Sequence, residues 1–174
     1  MAYCPLTLQG IASSCETNMG GVRKVYIASF QDDIFSLDAD GVVSAITTSV
    51  TWYEYALKQG VASMTGERTI DNSIGNNFAT NSVVLQFTKM DAAKLKEVEQ
   101  LCNGDAAVIV QDNNKKYWAL GINNPANASA SNAQTGQAAT DGNFYSVTLS
   151  VADGSYPHEI SATAIANMTI YDGE

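Results

Sequence analysis

The chain has little charge. Asp, Glu, Lys and Arg make up only 16% of its 174 residues, against roughly a quarter in ordinary soluble domains. Basic residues are the smaller share, 9 Lys and Arg against 18 Asp and Glu, for a formal net charge of -9. They are also scattered, with Arg23-Lys24 and Lys115-Lys116 the only adjacent pairs. Gripping nucleic acid by its phosphates needs Lys and Arg that displace counterions, so this composition argues against a DNA-binding domain. A surface past which DNA slides without sticking stays open.

Histidine is nearly absent too: His158 stands alone, and the three cysteines, Cys4, Cys15 and Cys102, have no C-x-x-C spacing. That leaves no ligand set for zinc, and no metal is expected. Ser-His-Asp or Cys-His catalysis would have to use His158, which follows Tyr156-Pro157 in an apparent loop, and there is no G-x-S-x-G elbow. P-loop and G-x-G-x-x-G patterns are missing. The acids Asp32, Asp33, Asp38, Asp40, Asp112, Asp141 and Asp153 fall at turns, where Asp serves local geometry. Asp38 to Gly41 resembles a fragment of a calcium loop without the later Glu of an EF-hand. The expectation is a protein that is no enzyme and carries no cofactor. With no signal-peptide pattern and no run of ~18 apolar residues, it is expected to be made in a cytosol and to stay off membranes.

What fills the sequence instead is apolar residues, 45% of the total, with small neutral Ala, Ser, Thr and Asn. That suffices for one domain over residues 1–174 with its own core. Residues 1–21 read as an irregular arm ending in Gly20-Gly21. Val22 to Phe30 (VRKVYIASF) reads as a strand. Val42 to Leu57 (VVSAITTSVTWYEYAL) has no Gly or Pro and one charge, Glu54, and its β-branched and aromatic content favours strand. Extended, those residues span roughly 50 Å, more than a domain of radius of gyration near ~16 Å can hold. Either the strand bends at Ser49-Val50, or it overhangs its own subunit. Val61 to Ile70 is its expected partner in a long β-hairpin. Both faces around Thr47 to Thr51 are small and polar, a pattern whose register is weak alone and which invites pairing with another chain. Thr47, Ser49, Val50, Thr51, Trp52, Tyr53 and Tyr55 are the candidate interface or lumen residues.

Asp71 to Thr80 reads as a polar loop, and Asn81 to Thr88 as a strand with Val83, Leu85 and Phe87 on one face. Met90 to Cys102 is the one helix: Asp91 caps it, Leu95, Val98, Leu101 and Cys102 form its apolar stripe, and Asn103-Gly104 ends it. Ala106 to Gln111 and Tyr117 to Ile122 make a hairpin about Asp112 to Lys115, with Trp118, Leu120 and Ile122 inward. Asn123 to Gly142 is a low-complexity loop. Phe144 to Val151 alternates, with Tyr145, Val147, Leu149 and Val151 inward, and a last strand is expected over Ala164 to Tyr171. The class is mainly β: a β-sandwich or open barrel with one flanking helix and a long hairpin.

Four of these pieces occur in an order that resembles a known family. They are the Gly-Gly before the VYIASF strand (Gly20 to Phe30), the strand running into the helix (Val83 to Cys102), the IVQDNNKKYWALG hairpin (Ile109 to Gly121), and the GNFYSVTLSV strand (Gly142 to Val151). The pattern is similar to the tail-tube proteins of long-tailed bacteriophages and prophages, particularly those of Bacteroidetes hosts. The resemblance implies a virion protein whose partners are copies of itself and other tail proteins. Hexameric rings would stack into a hollow tube, with strands of neighbouring subunits lining a lumen that DNA crosses without specific binding. The acidic balance would suit such a lumen. Two other readings stand beside it. One is a different virion structural or decoration protein; the other is a carbohydrate-binding β-sandwich using Trp52, Tyr53 and Tyr55 as stacking platforms.

Overall fold

In the computed structural model, which describes residues 8, 10–13 and 15–172, twelve strands and two helices are arranged in layers about one central sheet. The strands are β1 (Val22–Ser29), β2 (Phe35–Leu37), β3 (Val43–Ile46), β4 (Thr51–Ala56), β5 (Ser63–Asp71), β6 (Asn76–Thr88), β7 (Ala106–Asp112), β8 (Tyr117–Leu120), β9 (Asn127–Gln134), β10 (Phe144–Asp153), β11 (His158–Glu159) and β12 (Thr169–Ile170). The helices are α1 (Ala92–Asn103) and α2 (Ala162–Ala166). The mainly β class with flanking helix stands as expected.

The central sheet runs β11-β8-β7-β1-β4-β12, and its sequence explains its place. β7 begins AAVIVQ, apolar at consecutive positions rather than alternating, which is the pattern of a strand covered on both faces. Side chains duly divide by parity. Val25 and Ile27 of β1 with Val108 and Val110 of β7 face one core, and Tyr26, Ala28, Ala107 and Ile109 face the other. Against the first face lies a four-stranded sheet, β5-β6-β10-β9, through Val83, Leu85, Tyr145, Val147, Leu149 and Val151, joined by Val98 and Leu101 of α1. Against the second face lie the β2–β3 hairpin and α2, supplying Ile34, Phe35, Val43, Ile46, Ile160, Ala164 and Met168. The two large sheets meet at one corner, where Ala106 and Ala126 exchange backbone hydrogen bonds of 2.9 and 2.8 Å. The result is a sandwich joined along one side.

The helix matches its expected ends. Asp91 accepts the Lys94 backbone N–H at 2.8 Å, and Gly104 follows the last turn. Of its stripe, Val98 and Leu101 are buried, Cys102 is partly buried and Leu95 is exposed. The Asp112 to Lys115 turn also fixes the root of the arm. Asn113 donates to the Gly20 carbonyl at 2.7 Å, and Asn114 accepts the Met19 N–H at 2.9 Å. Of the remaining arm, residues 1–7, 9 and 14, and with them Cys4, lie outside the described residues.

Of the two alternatives for Val42 to Leu57, the bent one forms: β3 and β4 are separated by a bend that begins at Thr47, whose N–H donates to Ile34 O at 2.9 Å and whose hydroxyl donates to Asp33 O at 3.0 Å. Four expectations are corrected. The expected hairpin with Val61 to Ile70 does not form, because β4 pairs with β1 and β5 pairs with β6. Asp71 to Thr80 and Asn123 to Gly142 are not loops throughout; they contain the start of β6 and all of β9. The expected last strand, Ala164 to Tyr171, begins in the end of α2, which is capped by Ser161 Oγ on the Ala164 N–H, and only Thr169 and Ile170 of it are strand, in β12. Ile122 also departs from expectation. The chain turns at Gly121, where φ is +79° and an added Cβ would lie 2.9 Å from the Asn124 carbonyl, and Ile122 packs on the opposite core from Leu120.

Candidate assembly surface

The residues singled out from sequence separate into two groups. Trp52 is fully buried and Val50 is 4% exposed, both in the core under α2 and the β2–β3 hairpin. Trp52 meets Phe35 with ring centroids 5.9 Å apart, and no acceptor lies within reach of its indole N–H. Neither side chain is a surface residue, which corrects their place in the candidate set. Thr47, Ser49 and Thr51 are exposed at the bend. Tyr53 and Tyr55 lie on the other face of β4, beside α1: Tyr53 is exposed, and Tyr55 donates to Glu97 Oε2 at 2.9 Å.

A long hairpin does form, but from later segments than expected. β5 and β6 pair from Ser63↔Val84 to Asp71↔Asn76. Pairing of β6 with β10 stops at Ala79↔Asp153, so Thr69–Asp71 and Asn76–Phe78 continue about 10 Å further, at ~3.3 Å per residue. Ile70 and Ile74 at its tip are 62% and 69% exposed. One face of the ribbon is backed by the chain after β10. Gly66 lies where a Cβ would meet Asn81 and Tyr156 at 2.9 and 3.0 Å, and Arg68 donates to Asn77 Oδ1 at 2.6 Å and to the Gly154 carbonyl.

The other face of this sheet is left uncovered by the described residues. Read through the strand registers, it carries Ser63, Thr65, Glu67, Thr69 and Asp71 on β5, and Asn76, Phe78, Thr80, Ser82, Val84, Gln86 and Thr88 on β6. It continues with Phe144, Ser146, Thr148, Ser150 and Ala152 on β10, and Ala130, Asn132 and Gln134 on β9. Hydroxyls and amides dominate, and Thr65 and Ser82 hydrogen bond across the strands at 2.8 Å. Glu67 and Asp71 are its only charges. Arg68 is the only basic residue in the four strands, and it lies on the opposite face. At the turn before Asn76, Ser73 donates to Asp71 twice and holds that carboxyl below the usual carboxylate range.

Among the described residues both edges of the sheet are open: β5 and β9 each have one strand neighbour. β9 (NASASNAQ) carries no charge and no proline, the devices that ordinarily blunt an exposed edge. Sequence reasoning missed β9 because Asn, Ala and Ser are poor strand formers; it is held by its pairing to β10.

Elsewhere, His158 bridges Ser155 Oγ, 2.6 Å from Nε2, and the Gly41 carbonyl at Nδ1. The ring therefore ties the loop before β3 to the loop after β10. Asp38 accepts the N–H groups of Asp40 and Val42, a turn of the chain in place of a calcium loop. Among the described residues no three His, Cys, Asp or Glu side chains are grouped to hold a metal, and no helix is long and apolar enough to cross a membrane. Compared with protein-family models and with curated proteins, the sequence matches none.

Proposed function

We propose that the protein is a structural subunit of a phage tail tube. Copies would join edge to edge through the four-stranded sheet, β5 of one against β9 of the next, into rings that stack around a lumen. The observation that carries this reading is the β5-β6-β10-β9 sheet itself. It has an uncovered face of hydroxyls and amides with two carboxylates and no basic group, and an open strand at each side. Pairing two different edges is a head-to-tail contact, which closes into a ring when the rotation between copies allows. A wall of this composition gives DNA phosphates no cation to displace counterions onto. Closure also removes the edges that would otherwise recruit other chains.

The reading as another virion protein shares the open edges but has no need of a basic-free face. The carbohydrate-binding reading loses Trp52 as a platform, since that ring is interior. Negative-stain microscopy of the concentrated protein tests the proposal. Rings or tubes with sixfold symmetry are the expected outcome, and particles that stay monomeric at every concentration and salt condition overturn it.

A further inference from the structure

A second feature lies away from the proposed wall, where α1 stands beside β1 and β4 and leaves a groove of about 530 Å³. Three tyrosines form one side. Tyr53 and Tyr171 are 47% and 54% exposed, with ring centroids 5.2 Å apart. Tyr171 is fixed by its N–H, which donates to the Trp52 carbonyl at 2.8 Å. Tyr55 stands deeper, donating to Glu97; burial, and then the Glu97 carboxylate, push its phenol pKa well up, so the hydroxyl keeps its proton and its role as donor. The last turn of α1 and Asp105 form the other side.

The charges of this groove have one sign. Glu97 and Asp105 line it, and no Lys or Arg does. The last turn of α1 contains no basic residue to offset its C-terminal carbonyls, of which Glu99 O accepts from Asn103 Nδ2, and their dipoles carry partial negative charge. Tyrosine ring faces are negative as well, and attract cations placed over them. A neutral sugar would use the rings and leave the field unanswered; a cation answers both.

We propose that the groove receives an arginine or lysine side chain carried on a segment of another protein, its cationic group against the faces of Tyr53 and Tyr171, with Glu97 as counter-charge. The chain's own balance of -9 makes a second copy the poorer source of such a segment. The site is independent of the tube reading and can be probed in the unassembled chain.

The test is a titration followed by the tyrosine ring resonances of isotopically labelled protein, kept dilute enough to stay unassembled. The probe is N-acetyl-arginine methylamide, and its neutral isostere, the citrulline compound, is the control. Saturable shifts of Tyr53 and Tyr171 in the millimolar range are expected with the arginine probe alone. They should weaken about threefold or more in Glu97→Gln, and weaken further with added salt, as for a partly exposed ion pair. Absent shifts, equal shifts with the citrulline compound, or an unchanged midpoint in Glu97→Gln each overturn the site. Ring shifts produced by raising the protein concentration alone would assign the groove to a second copy and overturn the choice of partner.

Discussion

Val50 is the residue whose meaning changes most between sequence and structure. Its place among the candidate interface residues implies that an aspartate there blocks assembly and spares the fold. Its side chain is in fact packed in the core that holds Trp52 and Phe35, so Val50→Asp places a carboxylate in an apolar site. The expected cost is about 3 kcal/mol or more, read as a lower urea midpoint of the monomer. A variant with an unchanged midpoint would contradict the burial. Three other aspartates make a pH prediction. Asp71 is held low by Ser73, Asp91 by the Lys94 N–H and side chain, and Asp141 by the N–H groups of Ala138 and Gln137. A carboxyl whose folded pKa is depressed contributes fully above its unfolded pKa, near ~3.9 for Asp, and loses that contribution as pH falls through the folded value. The amide protons of Ser73, Lys94 and Ala138 should therefore lose protection from exchange below about pH 4, and keep it from pH 5 upward. Equal protection on both sides of that range would rule the linkage out.

At the scale of elements, the exposed edge β9 carries the sharpest prediction. Adjacent residues of an edge strand point their N–H groups alternately toward the sheet and away from it. Of Ser131→Pro and Asn132→Pro, one therefore removes an inward bond and the other only an outward one. The outward variant should keep the circular dichroism and melting of the parent while forming no rings. Rings formed by both variants would place the seam elsewhere. β9 also marks how far sequence alone reaches. Alternation in Tyr145, Val147, Leu149 and Val151, the Asp91 cap, and the hairpin at Asp112 to Lys115 were legible because each is local: period, cap and turn lie within a few residues. Strand β9 and the partner of β4 were not, because pairing is a choice among distant segments. NASASNAQ has no strand propensity of its own, and TWYEYA could pair on composition with any neighbour. Trp52 looked like a surface aromatic because the stretch leading into it, Thr47 to Thr51, has no clear core face. Only the cap of α2 and β2–β3, built in part from residues more than a hundred positions away, puts it inside. A long hairpin was legible but placed one strand too early, since β4 pairs with β1 and β5 with β6, and the strand it uses carries Glu67, Arg68 and Asp71 rather than a single charge.

Across the whole molecule, the proposed tube would make the uncovered sheet face the surface that DNA passes. Its lack of Lys and Arg predicts that assembled protein leaves duplex DNA in the supernatant on co-sedimentation, even at low salt. Thr80→Lys with Thr148→Lys adds two cations to that face at positions that the registers place side by side with β6 and β10 partners Ala152 and Val84. Tubes of this variant should retain DNA, with binding that falls steeply as salt rises. Retention by the parent protein, or none by the variant, would remove the wall from the path of DNA. The two open edges have a last consequence, for the order of assembly. If β5 of each copy takes β9 of the next, an arc of two copies and an arc of five expose the same pair of edges, one of each kind. Growth by addition leaves that number unchanged, and only the joining of an arc's own ends brings it to zero. Partial rings therefore gain nothing in inertness as they lengthen, and a population at equilibrium should hold single chains and closed circles with little in between.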